Sequence, residues 1–239
     1  MISWWGLIVS LHTEFAPINN ALFLDIETAS LDEPELERYA QVIEVGKQVK
    51  YELEVEKAVQ AGKRKPNKPK LKSDSPGLSP FTGRVVAIGV AMGYENPRVF
   101  YGAQERVLLE NLSRMIAMGR PEMVVTFNGE AFDLPFLAHR AMIQGVPELA
   151  RVLPFSRRRP KFARVLKSWD IYEYMGGKWG INGTLDEYAL WYGGQEHLVG
   201  IGYEVEKWWN DGDLGMIAKH CCGDVLAMRC VAKKLAPLL

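Results

Sequence analysis

Leu22-Phe23-Leu24-Asp25-Ile26-Glu27-Thr28 begins as a continuous apolar run and ends in two carboxylates two positions apart. An uninterrupted apolar run suits a strand buried on both faces. Side chains two apart on a strand point to the same face. Asp25 and Glu27 are therefore expected to project together from the end of a buried strand. Two like charges held close in a partly dry site repel, and each is costly to desolvate. A divalent cation between them removes both costs. The same spacing also fits a strand that runs out into solvent with both acids hydrated.

The 239 residues around this stretch fit one large domain, or one domain carrying an insertion. An apolar share of 48% and a charged share of 24% supply a sizeable core. Formal net charge is zero, so the overall field selects no partner. Cys221, Cys222 and Cys230 are odd in number and form no C-x-x-C pair, which supports neither a zinc site nor a disulfide framework. A reducing, cytoplasmic setting is the expectation. The apolar segment from Trp4 to Leu11 is too short to span a bilayer and lacks a basic flank and a small-residue cleavage site. No membrane association is expected.

Past the opening strand, Ser30-Leu31-Asp32-Glu33 has the pattern of a capping box, and a highly charged helix is predicted from about Pro34 to Ala61. Lys63 to Lys72 is basic and broken by prolines, which predicts a mobile loop without a core. Val85 to Met92 and Arg98 to Tyr101 read as a strand hairpin. Helix and strand then alternate. Gln104 to Met118 is a predicted helix, Met123 to Phe127 a strand, Ala131 to Gln144 a helix and Leu166 to Ile171 a strand. Thr184-Leu185-Asp186-Glu187 is a second capping box, opening a helix through Trp191, and the last helix runs from about Leu214 to Leu235. This order predicts an α/β fold, a mixed sheet with helices on its faces and a charged insertion at residues 34–79 after the first strand. Sites in such sheets collect at strand ends.

Two further places carry acids in unusual positions. Asn128-Gly129 is a turn signal, which puts Asp133 near the start of a helix, where a helix dipole alone could favour it. On the last helix, Leu214, Ile217, Cys221, Val225, Met228 and Leu235 form a core-facing stripe, and Asp224 lies on it. A lone acid facing the core is expensive unless it is paired or bound to metal. His220 precedes Asp224 by four residues, about 40° around a helix, so both can face one cleft. A structural His–Asp hydrogen bond fits the same spacing.

Taken in order, D-x-E on the first strand, N-G-x-x-F-D at a helix start and H-x-x-x-D on the last helix resemble the DEDD superfamily of 3′–5′ exonucleases. The most similar branch is the exonuclease domain of family B DNA polymerases and its stand-alone relatives. The resemblance spans about Ala21 to Leu235 apart from the insertion. It implies an RNase H-like fold, and a single exonuclease domain over residues 1–239. It also implies that Asp25, Glu27, Asp133 and Asp224 hold two Mg²⁺ or Mn²⁺ ions, with Asp25 bridging them, for hydrolysis of a phosphodiester. Hard divalent cations prefer oxygen ligands, which matches a set of carboxylates. Asn128, Phe132 and Thr28 are the implied substrate-binding residues. The chain departs from the pattern at His220, since one branch has Tyr four residues before the last Asp and the other has His five before it. An imidazole suits a general base because its pKa lies near neutrality.

The implied partner is nucleic acid, with single-stranded DNA favoured over RNA, and with proofreading or repair beside a polymerase acting in trans. Two basic tracts are candidates for phosphate contact: Lys63 to Lys72, and the set Arg151, Arg157, Arg158, Arg159, Lys161, Arg164 and Lys167. Asp170, in Ser168-Trp169-Asp170-Ile171, ends a strand near the cleft as either a supporting or a merely structural acid. Two rival readings remain. An RNase H-like module that binds nucleic acid without cleaving it differs in catalysis. A haloacid-dehalogenase-like phosphatase also places an acid after an apolar strand, but usually has Asp where this chain has Glu27.

Overall fold

The apolar run at Leu22 forms the strand that it predicts. In the computed structural model, which describes residues 16–67, 76–155, 165–177, 183–193 and 202–238, strand β1 covers Ala21–Ser30. The insertion follows as the 28-residue helix α1 (Glu33–Gln60). Strands β2 (Gly83–Met92) and β3 (Arg98–Tyr101) form the predicted antiparallel hairpin. Helix α2 (Glu105–Gly119), strand β4 (Met123–Thr126), helices α3 (Asp133–Ile143) and α4 (Pro147–Val152), and strand β5 (Lys167–Asp170) come next. Among the described residues, helices α5 (Ile171–Tyr174), α6 (Leu185–Tyr188), α7 (Val205–Asn210) and α8 (Leu214–Leu235) follow.

The five strands make one mixed sheet in the order β3-β2-β1-β4-β5. β1 runs parallel to β4, with Phe23 opposite Val125, and β4 runs parallel to β5, with Thr126 opposite Asp170. Parallel pairing carries the C-terminal ends of β1, β4 and β5 to one edge. This mixed sheet flanked by helices is an RNase H-like α/β fold.

Alternation along β1 divides the core between two faces. Leu22, Leu24 and Ile26 are buried with Leu108, Leu109 and Leu112 of α2 and Leu134 and Leu137 of α3. Ala21 and Phe23 are buried with Val225, Met228, Val231 and Leu235 of α8. Asp25 and Glu27 share the parity of Phe23 and so belong to the α8 face.

The chain divides into two compact units, Ala29–Arg84 and the remainder. Within the smaller unit, the capping box expected at Ser30 does not form. Ser30 is still extended in β1, and the N-cap of α1 is Asp32, with no side-chain capping bond. Pro34 in the first turn lowers the need for a cap, since it has no amide to satisfy. Arg84 pairs with Asp32 at 3.1 Å and Glu35 at 2.7 Å. Of the basic tracts, Lys63 to Asn67, Arg151 and Lys167 are described; residues 68–72, Arg157, Arg158, Arg159, Lys161 and Arg164 lie outside the described residues, as does the apolar segment 4–11.

Two other boundaries differ from the sequence expectation. β5 stops at Asp170 because that residue caps α5. The capping box at Thr184 forms, with Glu187 accepting from the Thr184 amide at 2.7 Å. The helix it opens reaches Tyr188 and continues as a π turn over Ala189–Gly193. Among the described residues no helix is long and apolar enough to cross a membrane.

A buried ion pair clamps the α2/α3 side. Glu105, the first residue of α2, accepts from the Val85 amide, from Arg140 Nε and from Gln144 Nε2, each at 2.8 Å. Glu105 and Arg140 are both almost fully buried. Removing one partner of such a pair strands the other charge and typically costs about 3–5 kcal/mol. Glu105→Ala is therefore expected to lower the unfolding free energy from urea melts by an amount in that range, seen as a lower midpoint with the slope unchanged. A loss under about 1 kcal/mol, the scale of an exposed pair, would show that water replaces Glu105 at no great cost.

Candidate functional site

The acids predicted from three separate motifs meet on β1, where Asp25 and Glu27 lie mid-strand, just past the Phe23 end of the pairing with β4, and not at the strand end that the sequence suggests. β1 supplies Asp25 and Glu27 on its α8 face. Opposite them, α8 buries Ile217, Cys221, Val225 and Met228, and presents His220 and Asp224 beside that stripe. The Cys221 thiol donates to the Asp25 carbonyl at 3.7 Å, which joins α8 to β1 at the site. Gly89 on β2 makes this approach possible. A Cβ there would lie 2.8 Å from Val225 Cγ2 and 2.9 Å from the Cys221 carbonyl oxygen and Sγ.

His220 Nε2 lies 3.4 Å from Glu27 Oε1 and 3.7 Å from Asp224 Oδ2. Its ring meets Trp208 of α7 edge-on, with centroids 5.8 Å apart. Asp133 opens α3, and its Oδ1 accepts from the Ile26 amide at 3.2 Å. The backbone amide between the two β1 acids thus carries the third carboxylate. Potential ligand atoms of Glu27, His220 and Asp224 lie within 4.8 Å of one another, as do those of Asp25, Glu27 and Cys221. Asp25 Oδ2 is buried and has no hydrogen-bond partner among the described residues.

Crowding of like charges dominates the electrostatics. Burial, then Asp224, Glu27 and Asp133, push the Asp25 carboxyl well above the ordinary range. Burial, then Asp224 and Asp133, do the same to Glu27. Burial raises Asp133 from 3.8 to about 7, against amide donors from its own helix and Ile26. Burial also pushes the Cys221 thiol up, with Asp25 adding to it. Such an acid set is satisfied by protonation or by a cation. The orphaned Asp25 oxygen and the oxygen-rich donor set fit a hard divalent ion. The residues present therefore fit the metal that the sequence resemblance implies.

Asn128, Phe132 and Thr28 make no side-chain hydrogen bond to the acids among the described residues. Asn128 is exposed in a left-handed turn with φ of 60°. Phe132 is part-buried against Phe136, with centroids 5.4 Å apart. Thr28 is half-buried, one residue past Glu27. Asp170 was ambiguous from sequence. It is buried, and its carboxylate accepts amides from both α5 and the turn after β4. Its place at a strand end was the one signal for it.

Residues 82–234 match the model of a family described as a predicted 3′–5′ exonuclease related to the exonuclease domain of PolB. The match contains Asp133, His220 and Asp224 and begins after Asp25 and Glu27. In structure the chain is similar to the family B DNA polymerase from the hyperthermophilic archaeon Pyrobaculum calidifontis. The TM-score is 0.59 at 19% sequence identity, over 90% of this chain and 24% of the polymerase. At that identity the likeness speaks to fold, and the chain spans about a quarter of the polymerase's length.

An acid whose folded pKa is raised favours folding at low pH, and that contribution is lost as pH rises through the folded value. For Asp133 the window runs from about 4 to about 7. Asp133→Asn mimics the protonated acid, so in EDTA its melting temperature relative to the unmutated chain should rise with pH across this window. Thermal melts between pH 4 and pH 8 check this. A constant difference would mean that Asp133 titrates as an ordinary acid.

Proposed function

This chain belongs to the family of predicted 3′–5′ exonucleases related to the exonuclease domain of PolB, and from that premise we propose that it is a metal-dependent 3′–5′ exonuclease releasing nucleoside monophosphates from single-stranded DNA. The observation that carries the reading is the convergence of Asp25, Glu27, Asp133 and Asp224 around a buried, unpartnered carboxylate oxygen. Asp25, Glu27, Asp133 and Asp224 would hold two Mg²⁺ or Mn²⁺ ions. When bound, such a pair supplies an acidified water and stabilises the charge on the leaving oxygen.

His220 is assigned the proton transfer. Water attacks phosphorus, the bond to the 3′ oxygen of the preceding nucleotide breaks, and the proton of the water passes to His220 Nε2. That nitrogen faces Glu27 and Asp224 and is held by the packing of the ring on Trp208. Neutral imidazole accepts a proton at neutral pH far better than the phenol of the similar branch. Asn128, Phe132 and Thr28 would hold the strand end, with the part-buried Phe132 ring available for base stacking.

The likeness to a polymerase favours DNA, and RNA is the competing substrate. The chain would then serve proofreading or repair in trans, in the cytoplasm. Family membership sets aside the dehalogenase-like phosphatase. A module that binds nucleic acid without cutting it keeps the fold and lacks the metal-dependent product.

Single-turnover cleavage of a 5′-labelled strand tests the assignment. Asp25→Ala and Asp224→Ala are expected to abolish release of mononucleotides while melting cooperatively. His220→Ala should lose about 10²–10⁴-fold in rate with strand binding retained, and His220→Tyr should regain part of it. Full activity in either aspartate variant sinks the metal assignment. A loss below about tenfold in His220→Ala removes the general base.

A further inference from the structure

Asp170 does more than an N-cap requires. Its Oδ1 accepts from the amides of Tyr172 at 3.1 Å and Glu173 at 3.3 Å, which is ordinary capping of α5. A hydroxyl could serve there. Oδ1 also accepts from the Asn128 amide at 2.9 Å, and Oδ2 from the Glu130 amide at 2.8 Å. These two donors belong to the turn between β4 and α3, and reaching both takes two acceptor oxygens on one side chain. The carboxylate is only 4% exposed, so its charge is held by these amides instead of water.

The turn it grips needs holding. Asn128 is left-handed, at φ 60°. Gly129 lies so close to Thr126 that a Cβ would meet Thr126 Cβ at 2.5 Å. The next helix has Phe132 as its N-cap, with no side-chain capping bond. Asp133 follows directly, and its carboxylate meets the Ile26 amide from across the sheet. The parallel register that sets Thr126 beside Asp170 brings the clip into reach.

We propose that Asp170 is a positioning residue for Asp133: by pinning the Asn128 and Glu130 amides it sets the Asp133 carboxylate against the Ile26 amide, between Asp25 and Glu27. The inference rests on the nuclease reading only for the meaning of metal binding. Asn at this position keeps the shape but offers one acceptor oxygen where two are needed.

The test uses the full chain carrying Asp170→Asn, first without metal. Hydrogen exchange should speed up at Asn128, Glu130 and, decisively, at Ile26, whose amide reports where Asp133 sits. Unchanged protection at Ile26 overturns the proposal. Calorimetry with Mn²⁺ alone should show affinity lowered about 10–100-fold, the usual effect of losing a residue that orients a ligand. Asp133→Asn should lower it too, and the double variant should be no weaker than Asp133→Asn. Additive losses would assign Asp170 an independent role and overturn the proposal. If Asp170→Asn does not fold, Gly129→Ala disturbs the same turn with the clip intact. It should give the same faster exchange at Ile26, and unchanged exchange there overturns the proposal. If the unmutated chain binds no Mn²⁺, the nuclease reading fails and the Ile26 amide still decides this one.

Discussion

Four carboxylates pressed together around the middle of a buried strand repel one another, and the surrounding structure works against that repulsion. Three elements bring the acids together, β1 with Asp25 and Glu27, α3 with Asp133 and α8 with Asp224, and each is tied down close to its acid. The Cys221 thiol fastens α8 to the Asp25 carbonyl. The absent side chain at Gly89 lets α8 lie against β2. The Ile26 amide receives Asp133. On the far face, Glu105 and Arg140 lock α2 to α3, so the helix that begins with Asp133 has a fixed base. A site whose charges push outward must be built from parts that do not yield.

Much of this was legible in the chain because it follows local rules. Alternation along β1 assigned Asp25 and Glu27 to one face before any contact was known, and Phe23 on the same face packs on α8 as that parity requires. The periodic stripe on α8 placed Asp224 towards the core. These patterns repeat every two or every three to four residues, which is the length over which a sequence can be read directly.

What was not legible depends on partners far away in the chain. Asp170 reaches amides 40 and 42 residues distant, and the Glu105–Arg140 pair closes over 35. Nothing in either segment encodes its partner. The capping pattern at Ser30 failed for a related reason. The box is a local signal, and membership of a strand overrode it. The shortened β5 shows the same competition, with capping of α5 prevailing over strand propensity at Asp170.

The contact between Cys221 and Asp25 joins residues 196 positions apart. During synthesis Asp25 and Glu27 emerge well before Asp224. A nascent chain without α8 holds an incomplete acid set and leaves the α8 face of the sheet uncovered. Contacts this remote slow folding, because the loop must close before the contact can form. They also delay completion of the site until α8 has docked. The acid set is therefore completed only when α8 docks, and a chain caught before that step exposes apolar sheet to aggregation.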